Sequence, residues 1–162
     1  MARTLFAVAV VLLVAGCATK PRFDTANTAL SVTPRQAVTE MARLEGTRVL
    51  WGGAIVAAVN REDTTQLEIL AYPLNDRQRP EPKAKAQRRF LAVKAGYLET
   101  ADYAQGRWVT LTGPLTGTRD GRVGDAPYTY PVVAIEDIHL WPETKRGTEP
   151  RFHFGIGVIF GN

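Results

Sequence analysis

Val49-Leu50-Trp51-Gly52-Gly53-Ala54-Ile55-Val56-Ala57-Ala58-Val59 is the longest apolar run in the body of the chain, and two adjacent glycines sit inside it. A strand of this length with internal glycine marks a bulge or sharp bend, the device by which a small barrel turns its corners. Asn60-Arg61-Glu62-Asp63 then makes a turn, and residues 66–72 return as a second strand with Leu67, Ile69 and Ala71 on one face. Phe90-Leu91-Ala92-Val93 reads as a short third strand, followed by one helical turn over residues 97–103. Residues 108–112 form a fourth strand, closed by Gly113-Pro114, and Asp120-Gly121 marks a tight turn. Residues 130–141 read as one further long strand, with Pro131 near its start, where a missing N–H is tolerated. The 14 glycines and 10 prolines fit a turn-rich β protein. The expected fold is mainly β: a small antiparallel OB-like barrel of five to six strands, with the helical turn between the third and fourth.

One helix is expected before the barrel. Thr33-Pro34-Arg35-Gln36 has the spacing of a capping box, with proline at the first helical position. Val38, Met41 and Leu44 follow at helical spacing and Gly46 suits the stop, so an amphipathic helix over residues 34–45 should pack on the body.

Upstream, Arg3 precedes an apolar run over residues 5–14 that ends in Ala15-Gly16 and holds no acidic residue. This is an export signal, too short to span a bilayer as a mature helix. Cys17, the single cysteine, follows directly, and Leu13-Val14-Ala15-Gly16-Cys17 resembles the lipobox of bacterial lipoprotein precursors. That resemblance implies cleavage before Cys17, a diacylglycerol on its thiol and an acyl chain on its new amine, with no other cofactor. Two or three chains make anchoring effectively permanent, where one holds only marginally. Ala18, where inner-membrane lipoproteins carry aspartate, implies sorting to the outer membrane, facing the periplasm. The expected organisation is a signal peptide at 1–16, a lipidated polar tether at 17–32, a barrel domain with its helix at 33–142, and an aromatic and glycine-rich segment at 143–162. With Cys17 lipidated, no disulfide forms and packing must supply stability.

The body carries a more specific likeness. Val49-Leu50-Trp51-Gly52-Gly53, Leu67-Glu68-Ile69-Leu70-Ala71-Tyr72-Pro73-Leu74 and Gly106-Arg107-Trp108-Val109-Thr110 resemble the starvation-inducible outer membrane lipoprotein (Slp) family. Gly124-Asp125-Ala126-Pro127-Tyr128-Thr129-Tyr130-Pro131-Val132-Val133 and His139-Leu140-Trp141-Pro142 extend the match, which with the lipobox covers about residues 13–142. The resemblance implies an outer membrane lipoprotein of the starved or stressed envelope, without established catalytic chemistry.

Charge singles out one loop. Removing residues 1–16 takes away only Arg3, so the net charge of +4 becomes +3. Residues 76–89 alone hold Arg77, Arg79, Lys83, Lys85, Arg88 and Arg89 against Asp76 and Glu81, a local +4. The rest of the mature chain is therefore slightly acidic. Near anionic headgroups each basic residue contributes about 1 kcal/mol, so these six are the expected docking residues for phospholipid or lipopolysaccharide phosphates. The bland alternative is a solvated, proline-interrupted loop. Trp51, Tyr72, Phe90 and Trp108 raise base stacking on nucleic acid, but an exported lipoprotein rarely meets DNA or RNA, and these rings suit a barrel core better.

Catalytic and metal chemistry find little support. His139 and His153 stand fourteen residues apart, and Asp137 with His139 supplies two ligands without an evident third. Glu136 and Asp137 point to opposite faces of a strand, and no Gly-x-Ser-x-Gly elbow occurs. In the tail, Phe152, Phe154, Ile156, Val158 and Phe160 alternate with glycine-rich positions, the pattern of a strand that covers a barrel edge or docks on a partner. The expected role is structural or adaptor, non-catalytic, with contact to anionic lipid, an envelope protein or a glycan. The alternative is a periplasmic module that recognises a glycan or lipid moiety.

Overall fold

A computed structural model describes residues 22–143. Helices α1 (Pro34–Thr39) and α2 (Met41–Leu44) precede strands β1 (Arg48–Asn60), β2 (Thr64–Tyr72), β3 (Arg89–Ala95), β4 (Trp108–Val123), β5 (Ala126–Ala134) and β6 (Asp137–Leu140). The sheet order is β1-β2-β3-β5-β4-β6, and a β1–β4 pairing brings the first five strands into a ring. Every pairing is antiparallel except β3 with β5. This is the connectivity of an OB-type barrel, as the strand pattern predicts, with one parallel seam in place of an all-antiparallel ring.

The paired glycines act by close approach. Gly53 lies opposite Ala71 on one side and Val109 on the other, where β1 joins two strands at once. A Cβ there would stand 2.0 Å from the Leu70 carbonyl oxygen. The bulge itself falls later, between Ile55 and Ala57. Along β2, Leu67, Ile69 and Ala71 alternate into the core as expected. The barrel is filled by side chains: Val49, Ile55, Leu67, Phe90, Val109, Leu111 and Val133 are all essentially inaccessible. Trp51 meets Phe90 edge-on at 5.1 Å between ring centroids, a geometry that adds to the burial term.

Four local expectations are corrected. β4 does not stop at Gly113-Pro114. It pairs with β1 up to Pro114 and with β5 from Leu115, so the proline sits where one ladder ends and the next begins. Asp120-Gly121 is not a turn: both residues lie in β4, and the two-residue turn is Gly124-Asp125, with Gly124 at φ +58. Gly121 leaves room for the Tyr130 ring, and the Asp120 carboxylate accepts from Thr129 Oγ1 at 2.7 Å. Residues 130–141 divide into β5 and β6, because the Ile135 N–H donates to Val93 and the Glu136 N–H to Thr112 as the chain crosses to the outer side of β4. The helix over 34–45 is two pieces broken at Glu40. Its capping box forms, but the Thr39 hydroxyl donates back to the Gln36 carbonyl at 3.2 Å, a bond that competes with continuation. Pro34, Ala37 and Leu44 supply its buried residues, with Met41 half-buried beside the core. Over 97–103 the chain makes one hydrogen-bonded turn, Tyr103 N–H to Glu99 O at 3.1 Å.

The span expected to be tether is, from residue 22 on, partly body. Phe23 is buried, and the buried Gln78 side chain holds its backbone twice, accepting from the Phe23 N–H at 2.7 Å and donating to its carbonyl at 3.0 Å. The Ala29 N–H donates to Arg48, and Trp51 Nε1 donates to the Val32 carbonyl at 2.7 Å. Cys17 and the 151–160 segment lie outside the described residues.

Candidate anion-binding flank

The basic loop between β2 and β3 is folded back on itself. Asn75 Oδ1 accepts from the N–H groups of Arg77 and Arg79, and the Asn75 N–H donates to the Arg79 carbonyl. A side-chain turn of this kind is what asparagine favours. Gln78, at φ +59, turns inward, and its carbonyl accepts from the buried Thr110 hydroxyl at 2.7 Å. Downstream, the Gln87 N–H donates to the Ala71 carbonyl, returning the chain to the sheet. The loop is thus a formed ledge beside the barrel.

That ledge divides the six predicted cations. Arg77, Lys83 and Lys85 are exposed. Arg79 lies over the Trp141 ring at 5.4 Å and Arg88 over the Tyr128 ring at 4.4 Å, both in cation–π range. Arg88 Nη2 also donates to the Thr129 carbonyl at 3.1 Å, while its Nε is buried without a hydrogen-bond partner. Arg89 pairs with Glu68 at 2.7 Å, and its backbone N–H donates to the Tyr128 hydroxyl. Glu68 also lies 3.3 Å from the Tyr130 hydroxyl, which donates to the Arg122 carbonyl. Burial first and the Glu68 carboxylate second push the Tyr130 phenol up from its ordinary value of 10.0.

Two clefts open beside the ledge. One, of about 430 Å³, lies between residues 25–34 and the ends of β1 and β2; Leu30, Val32, Leu50, Tyr72 and Leu74 give it apolar walls. The other, of about 550 Å³, is lined by Thr33, Arg35, Lys85, Ala86, Gln87, Arg88 and Tyr128. Thr33 and Gln87 border both, so the clefts are neighbours. Arg35 is the residue that sequence reading missed. It counts there only as a helix position, and fifty residues separate it from Lys85, so no local signal joins them.

The remaining sequence candidates lie elsewhere. Trp51 and Phe90 are core residues, and Tyr72 packs edge-on against Trp108 at 5.1 Å, so the rings pair with one another. His139 sits against Trp141 at 4.4 Å. Burial, reinforced by Arg22 and opposed by Asp137, lowers its pKa from 6.5. Among the described residues no three His, Cys, Asp or Glu side chains gather as a metal site would require. His153 lies outside them.

A family model described as the outer membrane lipoprotein Slp family matches residues 14–157. The Escherichia coli lipoprotein YeaY is 31% identical over 160 residues, covering 93% of this chain and 81% of that protein. The Escherichia coli outer membrane protein Slp is 28% identical over 117 residues, which span 71% of this chain and 62% of Slp. Among solved structures, the yeast mitochondrial single-stranded DNA-binding protein Rim1 shares 13% identity at a TM-score of 0.38, over 59% of this chain and 95% of that one. A likeness that distant carries no ligand across.

Proposed function

Since the chain belongs to the Slp family of outer membrane lipoproteins, we propose that it is a non-catalytic structural or adaptor element of the starved or stressed envelope. Acyl chains on Cys17 hold it to the outer membrane, and the ledge makes a second, electrostatic contact with an anionic surface. The observation that carries this reading is the exposure of Arg77, Lys83 and Lys85 on a hydrogen-bonded ledge, without an ion-pair partner among the described residues. At about 1 kcal/mol per cation near headgroups, three contribute about 3 kcal/mol, enough to orient an anchored domain and to give a free one weak but measurable binding at low salt. Arg79, Arg88 and Arg89, engaged with Trp141, Tyr128 and Glu68, shape the ledge.

The test is binding of the unlipidated chain, residues 18–162, to vesicles rich in anionic lipid across a salt series. Binding should weaken steeply with salt and fall about tenfold or more when Arg77, Lys83 and Lys85 are replaced by glutamine. Salt-independent binding, or none in either chain, would leave Cys17 as the membrane contact and turn attention to a protein partner. A second reading, a periplasmic module that recognises a lipid or glycan moiety, is favoured by the two neighbouring clefts. The buried side chains inside the barrel support a site on the flank in that reading.

A further inference from the structure

The paired clefts differ in chemistry in a way that fits one class of ligand. The smaller is walled by Leu30, Val32, Leu50, Tyr72 and Leu74, and Leu30 is left 59% exposed at its mouth. The larger carries three cations, Arg35, Lys85 and Arg88, with Tyr128 and, among the described residues, no carboxylate. Asp76, the one acidic side chain lining either cleft, belongs to the apolar one. Arg35 and Lys85 make no ion pair among the described residues. Arg88 is held by the Tyr128 ring and by the Thr129 carbonyl, which accepts from Nη2.

We propose that the neighbouring clefts form a site for a single anionic phospholipid, the phosphate held by Arg35, Lys85 and Arg88 and one acyl chain lying along the wall from Leu30 to Leu74. The proposal rests on the second reading above and makes it specific. Three cations lining one cleft without a carboxylate match a phosphate, for which guanidinium geometry is well suited. An exposed leucine beside an apolar wall matches a chain that needs removing from water. The adjacency of the two clefts, which share Thr33 and Gln87 as walls, is what favours one amphiphilic ligand over two separate molecules. This differs from docking on a bilayer, because it is saturable, one-to-one, and uses Arg35 on α1 rather than Arg77 and Lys83.

The test is calorimetric titration of the mature chain, residues 17–162 carrying Cys17→Ser, with monomeric palmitoyl lysophosphatidic acid below its critical micelle concentration. Inorganic phosphate supplies the headgroup alone and monopalmitoylglycerol the tail alone. Saturable one-to-one binding is expected, at least tenfold tighter than either fragment. It should weaken tenfold or more in the double variant Arg35→Gln, Lys85→Gln and severalfold in Leu30→Ser. Both are changes at exposed side chains that leave the fold intact, which the amide spectrum checks. The pair Arg77→Gln, Lys83→Gln should leave lysolipid binding unchanged while weakening vesicle binding. Phosphate binding as tightly as the lysolipid would overturn the role of the apolar cleft. Lysolipid binding indifferent to Arg35 and Lys85 would overturn the site and leave the broader lipid-module reading standing. No binding of any probe would overturn the site, and a glycan that bound instead would preserve the module reading alone.

Discussion

The barrel interior and the flank beside it are built on opposite terms. Inside, large apolar side chains from five strands fill the space completely, and the strands approach so closely that Gly53 admits no side chain. On the flank, an N-terminal segment, a short helix and a polar loop meet without filling the space between them, leaving two clefts and, in Arg35 and Lys85, cations with no ion-pair partner among the described residues. A close-packed interior tolerates no ligand and little change. A seam between separately folded pieces leaves gaps, and its polar groups face outward. The difference teaches that an OB-type ring can serve as a frame, with side chains from segments distant in sequence brought together on its flank.

Gly53→Val is the strongest way to break that comparison at the interior. A Cβ 2.0 Å from a carbonyl oxygen can be relieved only by moving β2, so a loss of about 3 kcal/mol or more is expected. Thermal unfolding followed by far-ultraviolet circular dichroism should show a much lower midpoint or no cooperative transition. A wild-type midpoint would mean that the ring is looser than its register implies.

Gln78→Ala tests the flank. It strands the buried N–H and carbonyl of Phe23 and should cost about 2 kcal/mol. Hydrogen exchange sharpens the contrast: protection should fall for residues 23–32 while β1 and β4 amides stay slow. Uniform loss across the barrel would show that flank and interior unfold as one unit instead.

The smallest effect is expected at His139. Its pKa is lowered in the folded state, chiefly by burial, so below the ordinary value of 6.5 the unfolded chain binds more protons than the folded one. Stability should therefore decline as pH falls through 6.5 toward the depressed folded value, and be fully present above 6.5. His139→Gln should flatten that slope in denaturant midpoints measured from pH 5 to pH 8. An unchanged slope would assign the pH dependence to other groups.

Much of the barrel was legible because its signals are local. The alternation of Leu67, Ile69 and Ala71 needs only period two, and the capping box at Thr33 and Gln36 needs only three residues' spacing. Where local signals competed, reading failed. Asp120-Gly121 and Gly124-Asp125 are both turn-forming pairs, and the ladder between β4 and β5 chose the second. Pro114 looked like a stop, yet a strand that changes partners can pass through a residue without an N–H at the point of exchange. The six loop cations were visible as a charge run, but their division into exposed and engaged groups depends on Trp141, Tyr128 and Glu68, which the sequence places far away.

By itself the sequence determined the strand-rich class, the helix start and the location of positive charge, because each is written in composition or in short-range spacing, while its longer motifs carried the family resemblance and the outer membrane address this implies. Tertiary structure decided where strands end, which cations are engaged, that Phe23 to Val32 belong partly to the body, and that Arg35 stands with Lys85 and Arg88 beside an apolar cleft. The reason is physical. Closing the ring brings residues separated by tens of positions within hydrogen-bond distance, and the free energy of those contacts depends on three-dimensional neighbours that no local pattern encodes.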